Sequence, residues 1–479
     1  MHMVSVRKHS REALFALCFA SLVCIAAFLC FYKLDRAAIA NWDEARHGVN
    51  AYEMLQGGNP AVNAYAYAPD MYNLKPPLVT WAIALGYRLF GYNELGLRFF
   101  SALSLFCTIL LIAVYTLKHY GKTASLCCLF ISLCYSCLYF DHWGRSGDPD
   151  AIYILFFALS MLSMSYIPQK PRALYAAGFF FSLAFLSKSF HALSIVAIGG
   201  LFLLLTGTFF RLRPRQWFLF LCSSFLPIFA WAAFRFVQPD GPAFFRQMIG
   251  YDLLRRSGEA LEGHPGGLLY YVDFFRQKPD FFACICLCCY GLAQRTASSQ
   301  PLSARAQTLL LWFTVTFLCI SFPRTKISWY AYPAFLPLII AASASLAALL
   351  RRLTFKTFWP NAALLLLCAA LLLPNLSSNL QRVRSSRSDS MMQVFMKSAL
   401  QDQAFRGRRL YRAGDWQQAE LLQAELCMDA RCEDGGIDRF LQSEAGALLL
   451  CEEEDITPAL RTHSQLLTVM ESCYLFERL

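Results

Sequence analysis

Residues 13–31 read ALFALCFASLVCIAAFLCF, nineteen positions without a charge and with Ser21 as the sole hydroxyl. A helix of that length, rising about 1.5 Å per residue, covers the roughly 30 Å hydrocarbon layer of a bilayer. The run is apolar on every face, so a helix built from it has no side to turn toward water. Ala192–Thr206 and Ala334–Leu350 have the same character, and similar blocks recur along most of the chain. With 57% hydrophobic and only 16% charged residues in 479, the chain carries more apolar surface than one soluble core could hide. The expected fold is an all-α polytopic membrane protein, with spans near 13–32, 98–117, 123–140, 151–167, 173–186, 190–209, 216–235, 280–293, 306–322, 332–350 and 357–374. Leu78–Phe90 is read as a helix lying on the membrane, and the total as 11 to 13 helices.

The formal charge of +11 is spread in short clusters between the apolar blocks, which argues against a nucleic-acid surface. Arg7/Lys8/Arg11, Lys118/Lys122, Lys170/Arg172, Arg211/Arg213/Arg215, Arg295/Arg305 and Arg351/Arg352/Lys356 all fall on one side of an eleven-span topology. The positive-inside rule makes that side the cytoplasm, with the N-terminus there and the C-terminal part outside. The expected setting is a bacterial inner (plasma) membrane with a periplasmic tail. Ala38-Ile39-Ala40 mimics a signal-peptide cleavage site, but the apolar run before it is longer than a signal core and reads as the first span.

The organisation expected is a membrane part over residues 1–375, with long outer loops at 36–97 and 236–280, and a small periplasmic α/β domain over 376–479. The Ser/Arg stretch Ser377–Ser390 reads as the linker between them. Fifteen of the 19 cysteines precede residue 376 and serve as small apolar packing groups. Cys427, Cys432, Cys451 and Cys473 lie in the tail, where one or two disulfides are expected; the sequence does not choose among the pairings.

Polar chemistry gathers in the loops of one side. Asn41-Trp42-Asp43-Glu44-Ala45-Arg46 follows the first span, and paired carboxylates beside a bilayer are costly unless used for a partner or a proton transfer. Tyr72-Asn73-Leu74-Lys75-Pro76-Pro77-Leu78 presents a cation on a stiff chain, suited to phosphate or to snorkelling. In Arg145-Ser146-Gly147-Asp148-Pro149-Asp150, Asp148 can cap the next helix with Pro149 as its first residue, and Asp150 complements the helix dipole. Lys188 and Lys326 fall on the outer side against the positive-inside trend, which points to an anionic ligand. His264, in Glu262-Gly263-His264-Pro265, is a further candidate ligand or acid-base group.

Taken in order, these residues resemble the GT-C superfamily of membrane glycosyltransferases, of the protein O-mannosyltransferase and lipid A aminoarabinose transferase type. Asp43-Glu44-Ala45-Arg46 resembles that family's first acidic pair. Lys75-Pro76-Pro77-Leu78, with Leu89-Phe90-Gly91 and Arg98, is similar to its KPP segment and following helix. Arg145–Asp150, Leu186-Ser187-Lys188 and Thr325-Lys326-Ile327-Ser328-Trp329-Tyr330 resemble later blocks, so that the likeness covers about residues 10–350. It implies a GT-C fold and transfer of a hexose or pentose from a polyprenyl-phosphate donor to lipid A, a lipid-linked glycan or a protein. It further implies Asp43 as general base, with Glu44 and Asp150 as acids of the catalytic group, and Arg46, Lys75, Lys188, Lys326 and Tyr330 around the donor phosphate. The aminoarabinose transferases have a metal-binding glutamate where this chain has Leu74, which speaks against that metal, although His264 matches the family's other metal position. The rival reading is a transporter or lipid flippase using the same charges as a gate; the related halves and interrupted helices typical of one are not evident.

Overall fold

The computed structural model describes residues 2–259, 263–297, 302–353, 358–399, 407–451 and 455–479. Lys356 and Glu262 lie outside them. Helices occupy each expected span: His2–Phe31, Glu94–Tyr120, Lys122–Cys134, Asp150–Met164, Ala173–Lys188, Leu193–Leu205, Pro214–Phe236, Pro279–Thr296, Ala304–Ser321, Phe335–Arg351 and Phe358–Arg384. Among the described residues seven helical stretches are long and apolar enough to cross a membrane, and the protein is an integral membrane protein.

By length alone Ala173–Leu205 counts as one of those seven stretches. The chain nevertheless reverses within it. Ser189 takes a left-handed φ of 54° at a short 3-10 segment, Ser189–Ala192. Asp150, Lys188 and Ser194 then line one cavity, while Met164, Leu174 and Leu203 line another. The two helices therefore run in opposite directions, both against the Asp150–Met164 helix and with a cavity between them, and Lys188 sits at the turn.

The loop over 36–97 carries the Asp43–Gly57 helix, a two-strand hairpin (Ala64–Tyr65 with Ala68–Pro69) and the Leu78–Phe90 helix. Its anchor is Arg98, 2% exposed, which donates to both oxygens of Glu44 (2.6 and 3.0 Å) and to the carbonyls of Leu34, Ala37 and Ala38 at 2.8–3.0 Å. A guanidinium in so dry a place needs every donor engaged, and these acceptors engage them.

The linker expected over Ser377–Ser390 is mostly helix instead, because Phe358–Arg384 runs through residue 376. Two inward contacts hold that last polar stretch: Asn379 Nδ2 donates to Leu133 O at 3.0 Å, and Val383 is fully buried. Beyond it lies a five-stranded sheet in the order 431–433, 409–412, 447–450, 473–478, 464–470, the first three strands parallel and the last two antiparallel. Alternation along the strands gives it two cores, one around Phe395, Leu410, Leu449 and Leu475, the other around Tyr411, Phe440, Leu448 and Phe476. Of the four tail cysteines, Cys451 and Cys473 form a disulfide, and Cys427 and Cys432 are free.

This sheet region is fastened to the loop that carries Asp43. The Gln418–Met428 helix lies on the Asp43–Gly57 helix, where a Cβ added to Gly48 would come within 2.3 Å of Leu422 Cδ2. Asn41 Oδ1 accepts from the first-turn Ala419 N at 3.0 Å, and Tyr52 and Gln56 both donate to Asp429. Gln393 makes two bonds to the backbone of Ile39 (2.8 and 2.9 Å), and Lys397 pairs with Glu94 at 2.6 Å. Between the helices the carboxyls of Glu53 and Glu425 are both buried and lie close enough to act on each other.

Candidate functional site

Asp43 opens a helix whose first turn holds two acids, an arrangement the dipole favours. The chain enters through Trp42 at φ 68°, a turn that aims the adjacent acids in different directions. Glu44 points back into the protein. It takes two bonds from Arg98, one from Ala40 N (2.8 Å) and one from Gly147 N (2.9 Å). Expected beside Asp43 as a catalytic acid, it instead ties the loop at 36–97 to the loop at 135–149. The carboxylate of Asp43 has no hydrogen-bond or ion-pair partner among the described residues.

Cations surround Asp43. Burial pushes its pKa up, but Lys75, then His47, Lys188 and His142 outweigh burial and hold it down at about 2. Lys75 stands just before the rigid Pro76-Pro77 step, and its ammonium has no protein partner among the described residues. The other expected phosphate-binding cations are engaged. Arg46 forms a two-pronged pair with Asp70 (2.8 and 2.7 Å), sandwiched by Tyr65 and Tyr72. Lys188 donates to Asp150 Oδ1 at 2.5 Å, which leaves Asp150 Oδ2 buried and unbonded. Lys326 donates to the carbonyls of Ile320 and Ser321, capping the Ala304–Ser321 helix. Tyr330 faces the Lys188 ammonium at 5.4 Å and accepts from Arg256 at 3.2 Å. Asp43, Lys75 and Lys188 stand close enough to act on one another, and Lys188 and Tyr330 line one cavity with Asp150.

Arg145 has a structural task. Its two terminal nitrogens reach Leu29, Cys30, Tyr32 and Lys33 carbonyls at 2.9–3.3 Å, closing the last turn of the first helix. Asp148 does not cap the next helix: the cap position is Pro149, without a side-chain bond, and the helix starts at Asp150. Asp148 Oδ2 lies 3.1 Å from His142 Nδ1, and His142 stacks on Trp329 at 3.8 Å between ring centres. Burial lowers the His142 pKa, but Asp148, then Asp43 and Asp150 outweigh it and raise it to about 9. Next door Trp143 stacks on Tyr332 at 4.9 Å, so two adjacent rings pin this loop onto the 328–334 segment. Trp329 is a wall shared by two cavities. One, of about 780 Å³, is lined by Asp148, His142, Lys278, Arg382 and Arg387; the other, of about 290 Å³, by Asp150, Lys188, Arg256 and Tyr330.

The metal position implied by the resemblance does not fit. Leu74 is packed among Leu186, Trp231, Phe244 and Met248, which offer a cation no ligand, and His264 is exposed, with its backbone carbonyl bonded to Lys326 N. Asp43, His142 and Asp148 do bring ligand atoms within 4.8 Å of one another. Held protonated, His142 already supplies the positive charge there.

His47, missed in the sequence reading, belongs to the site. It lies one turn after Asp43 on the same helix, 2% exposed, with Nδ1 3.1 Å from Asn73 Nδ2 and Nε2 without a protein partner. Only its spacing of four residues from Asp43 could have signalled it.

Residues 74–234 match the family model for dolichyl-phosphate-mannose-protein mannosyltransferase. An uncharacterized protein of Aquifex aeolicus is 30% identical over 167 residues, 35% of this chain and 32% of that protein. An undecaprenyl phosphate-alpha-4-amino-4-deoxy-L-arabinose arabinosyl transferase of Enterobacter sp. is 24% identical over 370 residues, 74% of this chain. The chain spans 64% of that relative's length, just under two thirds. The crystal structure of ArnT from Cupriavidus metallidurans bound to undecaprenyl phosphate superposes with a TM-score of 0.71 at 14% identity, covering 97% of this chain and 98% of that one. The likeness to ArnT runs over nearly the whole chain and shows its fold, and the family match falls inside its membrane part.

Proposed function

We propose that the protein transfers a sugar, hexose or pentose, from a polyprenyl-phosphate donor to the hydroxyl of an acceptor at the outer face of a bacterial inner membrane. The observation that carries this reading is the pairing of an unpartnered carboxylate, Asp43, with an unpartnered ammonium, Lys75, inside a ring of charge at one end of a membrane bundle. Asp43 takes the proton of the acceptor hydroxyl, whose oxygen bonds to the anomeric carbon as the bond from that carbon to the phosphate oxygen breaks. The leaving polyprenyl phosphate gains negative charge, which Lys75 stabilises directly, with Lys188 and His142 contributing from behind Asp150 and Asp148.

The depressed pKa of Asp43 adds a step. A carboxylate held near 2 is a weak base, and the groups that hold it there are the cations facing the donor phosphate. Donor binding sets a negative charge against them, so Asp43 recovers basicity when a donor is in place. The enzyme without donor thus leaves its base inactive toward water and acceptor. A transporter gate is less well served: Glu44 and Arg98 are locked in a buried pair, and Arg145 is held by four backbone carbonyls.

The acceptor classes are lipid A, a lipid-linked glycan and a protein. Mass analysis of envelope glycolipids and glycoproteins, with the gene present and deleted, tests the reading. A difference of one sugar residue names donor and acceptor together, and identical profiles under expression of active protein refute it.

A further inference from the structure

Behind the Asp43 helix runs a line of polar side chains whose hydrogen-bond direction is set from one end. Arg46 grips both oxygens of Asp70. Asp70 Oδ2 is an acceptor, and so is Ala64 O; both take bonds from Asn50 Nδ2, at 3.0 and 2.5 Å. The Asn50 amide can therefore face only one way, with its oxygen toward Asn73, whose Nδ2 donates to it at 2.7 Å. The same Asn73 nitrogen lies 3.1 Å from His47 Nδ1. An amide nitrogen only donates, so Nδ1 accepts and the proton of the neutral ring is on Nε2.

That Nε2–H is buried and has no partner among the described residues. Leaving a buried donor unsatisfied costs on the order of 1–3 kcal/mol, a reason to look for the acceptor in a ligand. The ring also stays uncharged: burial first, then Lys75, push its pKa down to about 3 against the pull of Asp43 and Asp70. Lys75 beside it needs an anion, and Asp43 is one helical turn away.

We propose that His47 is a neutral hydrogen-bond donor to the phosphate of the polyprenyl-phosphate sugar, completing with Lys75 a two-group grip. The inference rests on the donor reading above and deepens it. Neutrality has a use: an imidazolium here would add a second full positive charge beside Lys75 and hold the departing phosphate too tightly.

The test compares His47→Phe, which keeps a ring but no donor, with His47→Gln, which keeps a neutral N–H near the place of Nε2. Binding of sugar-free undecaprenyl phosphate to purified full-length protein in nanodiscs is measured alongside KM and kcat for the sugar donor. Phenylalanine is expected to weaken binding and raise the donor KM by about tenfold, the worth of one bond to a charged group. Glutamine should restore both to within about threefold of wild type. Equal binding by wild type and His47→Phe overturns the role of His47 and leaves the proposed function standing. Failure of wild type to bind the lipid phosphate overturns both. If the phenylalanine variant does not fold, the glutamine variant decides: binding within threefold supports the donor, and a tenfold loss in a folded protein refutes it.

Discussion

Two neighbouring carboxylates should give opposite phenotypes. Glu44 is 2% exposed and accepts four hydrogen bonds, two of them from Arg98, itself 2% exposed. Glu44→Gln removes the charge that balances Arg98 and turns one acceptor into a donor that faces other donors. Breaking one side of a buried pair typically costs about 3–5 kcal/mol. A loss of that size should lower the thermal midpoint in nanodiscs by many degrees. Asp43→Asn breaks no protein hydrogen bond, so its midpoint should stay close to wild type. Its turnover should fall by about 10²–10⁴, the usual contribution of a positioned general base. The assay is tryptophan-monitored unfolding beside radiolabelled sugar transfer, with activity normalised to folded protein. A stable but inactive Glu44→Gln next to an active Asp43→Asn would reverse the roles assigned here.

Other outcomes follow from the same contacts. Arg145→Ala strips four carbonyls at the end of the first helix of their donors, each worth on the order of 1 kcal/mol; it should destabilise the protein while Arg145→Lys recovers part of the loss, as read by thermal unfolding. His142, raised to about 9, lends its ion pair with Asp148 fully below its ordinary value near 6.5 and loses it as pH climbs through 9; transfer should therefore fall on that alkaline limb, and His142→Gln should flatten it. Glu53 is pushed up to about 7 and Glu425 well above the usual carboxylate range, in both cases by burial first, while Tyr52, Tyr67, Tyr87, Cys432, Asp70 and Asp429 around them supply no unpaired cation. Their contact is strongest below about pH 4.5 and weakens as pH rises through 7, so hydrogen exchange in residues 418–428 should quicken between pH 5 and 8.5, and Glu425→Gln should remove most of that dependence.

Much of this was legible in the chain. The uniform apolar runs announced the helices, because lipid demands apolarity on all faces, and Lys188 and Lys326 stood out because a topological cation belongs on the other side. What each cation does was not legible. Arg46, Arg98 and Arg145 look alike as letters, yet one is clamped by Asp70, one balances Glu44 and one closes a helix end. The partners lie 24 to 116 residues away, and only the fold chooses them. The turn at Lys188 was expected, but its cause, a left-handed Ser189, is invisible to hydropathy. His47 went unnoticed because its interest lies in a tautomer, which no pattern of residue types encodes.

The seat of Leu422 over Gly48 reaches beyond packing. The Leu422 side chain fills the space over Gly48, so the C-terminal end of this polypeptide clasps the helix that begins at Asp43. A load on the sheet, from a binding protein or a bound acceptor, would reach the helix that carries Asp43 through the short helix over Gln418–Met428. Chimeras that swap this terminus between relatives would then change the rate of reaction without altering a single residue that meets the sugar.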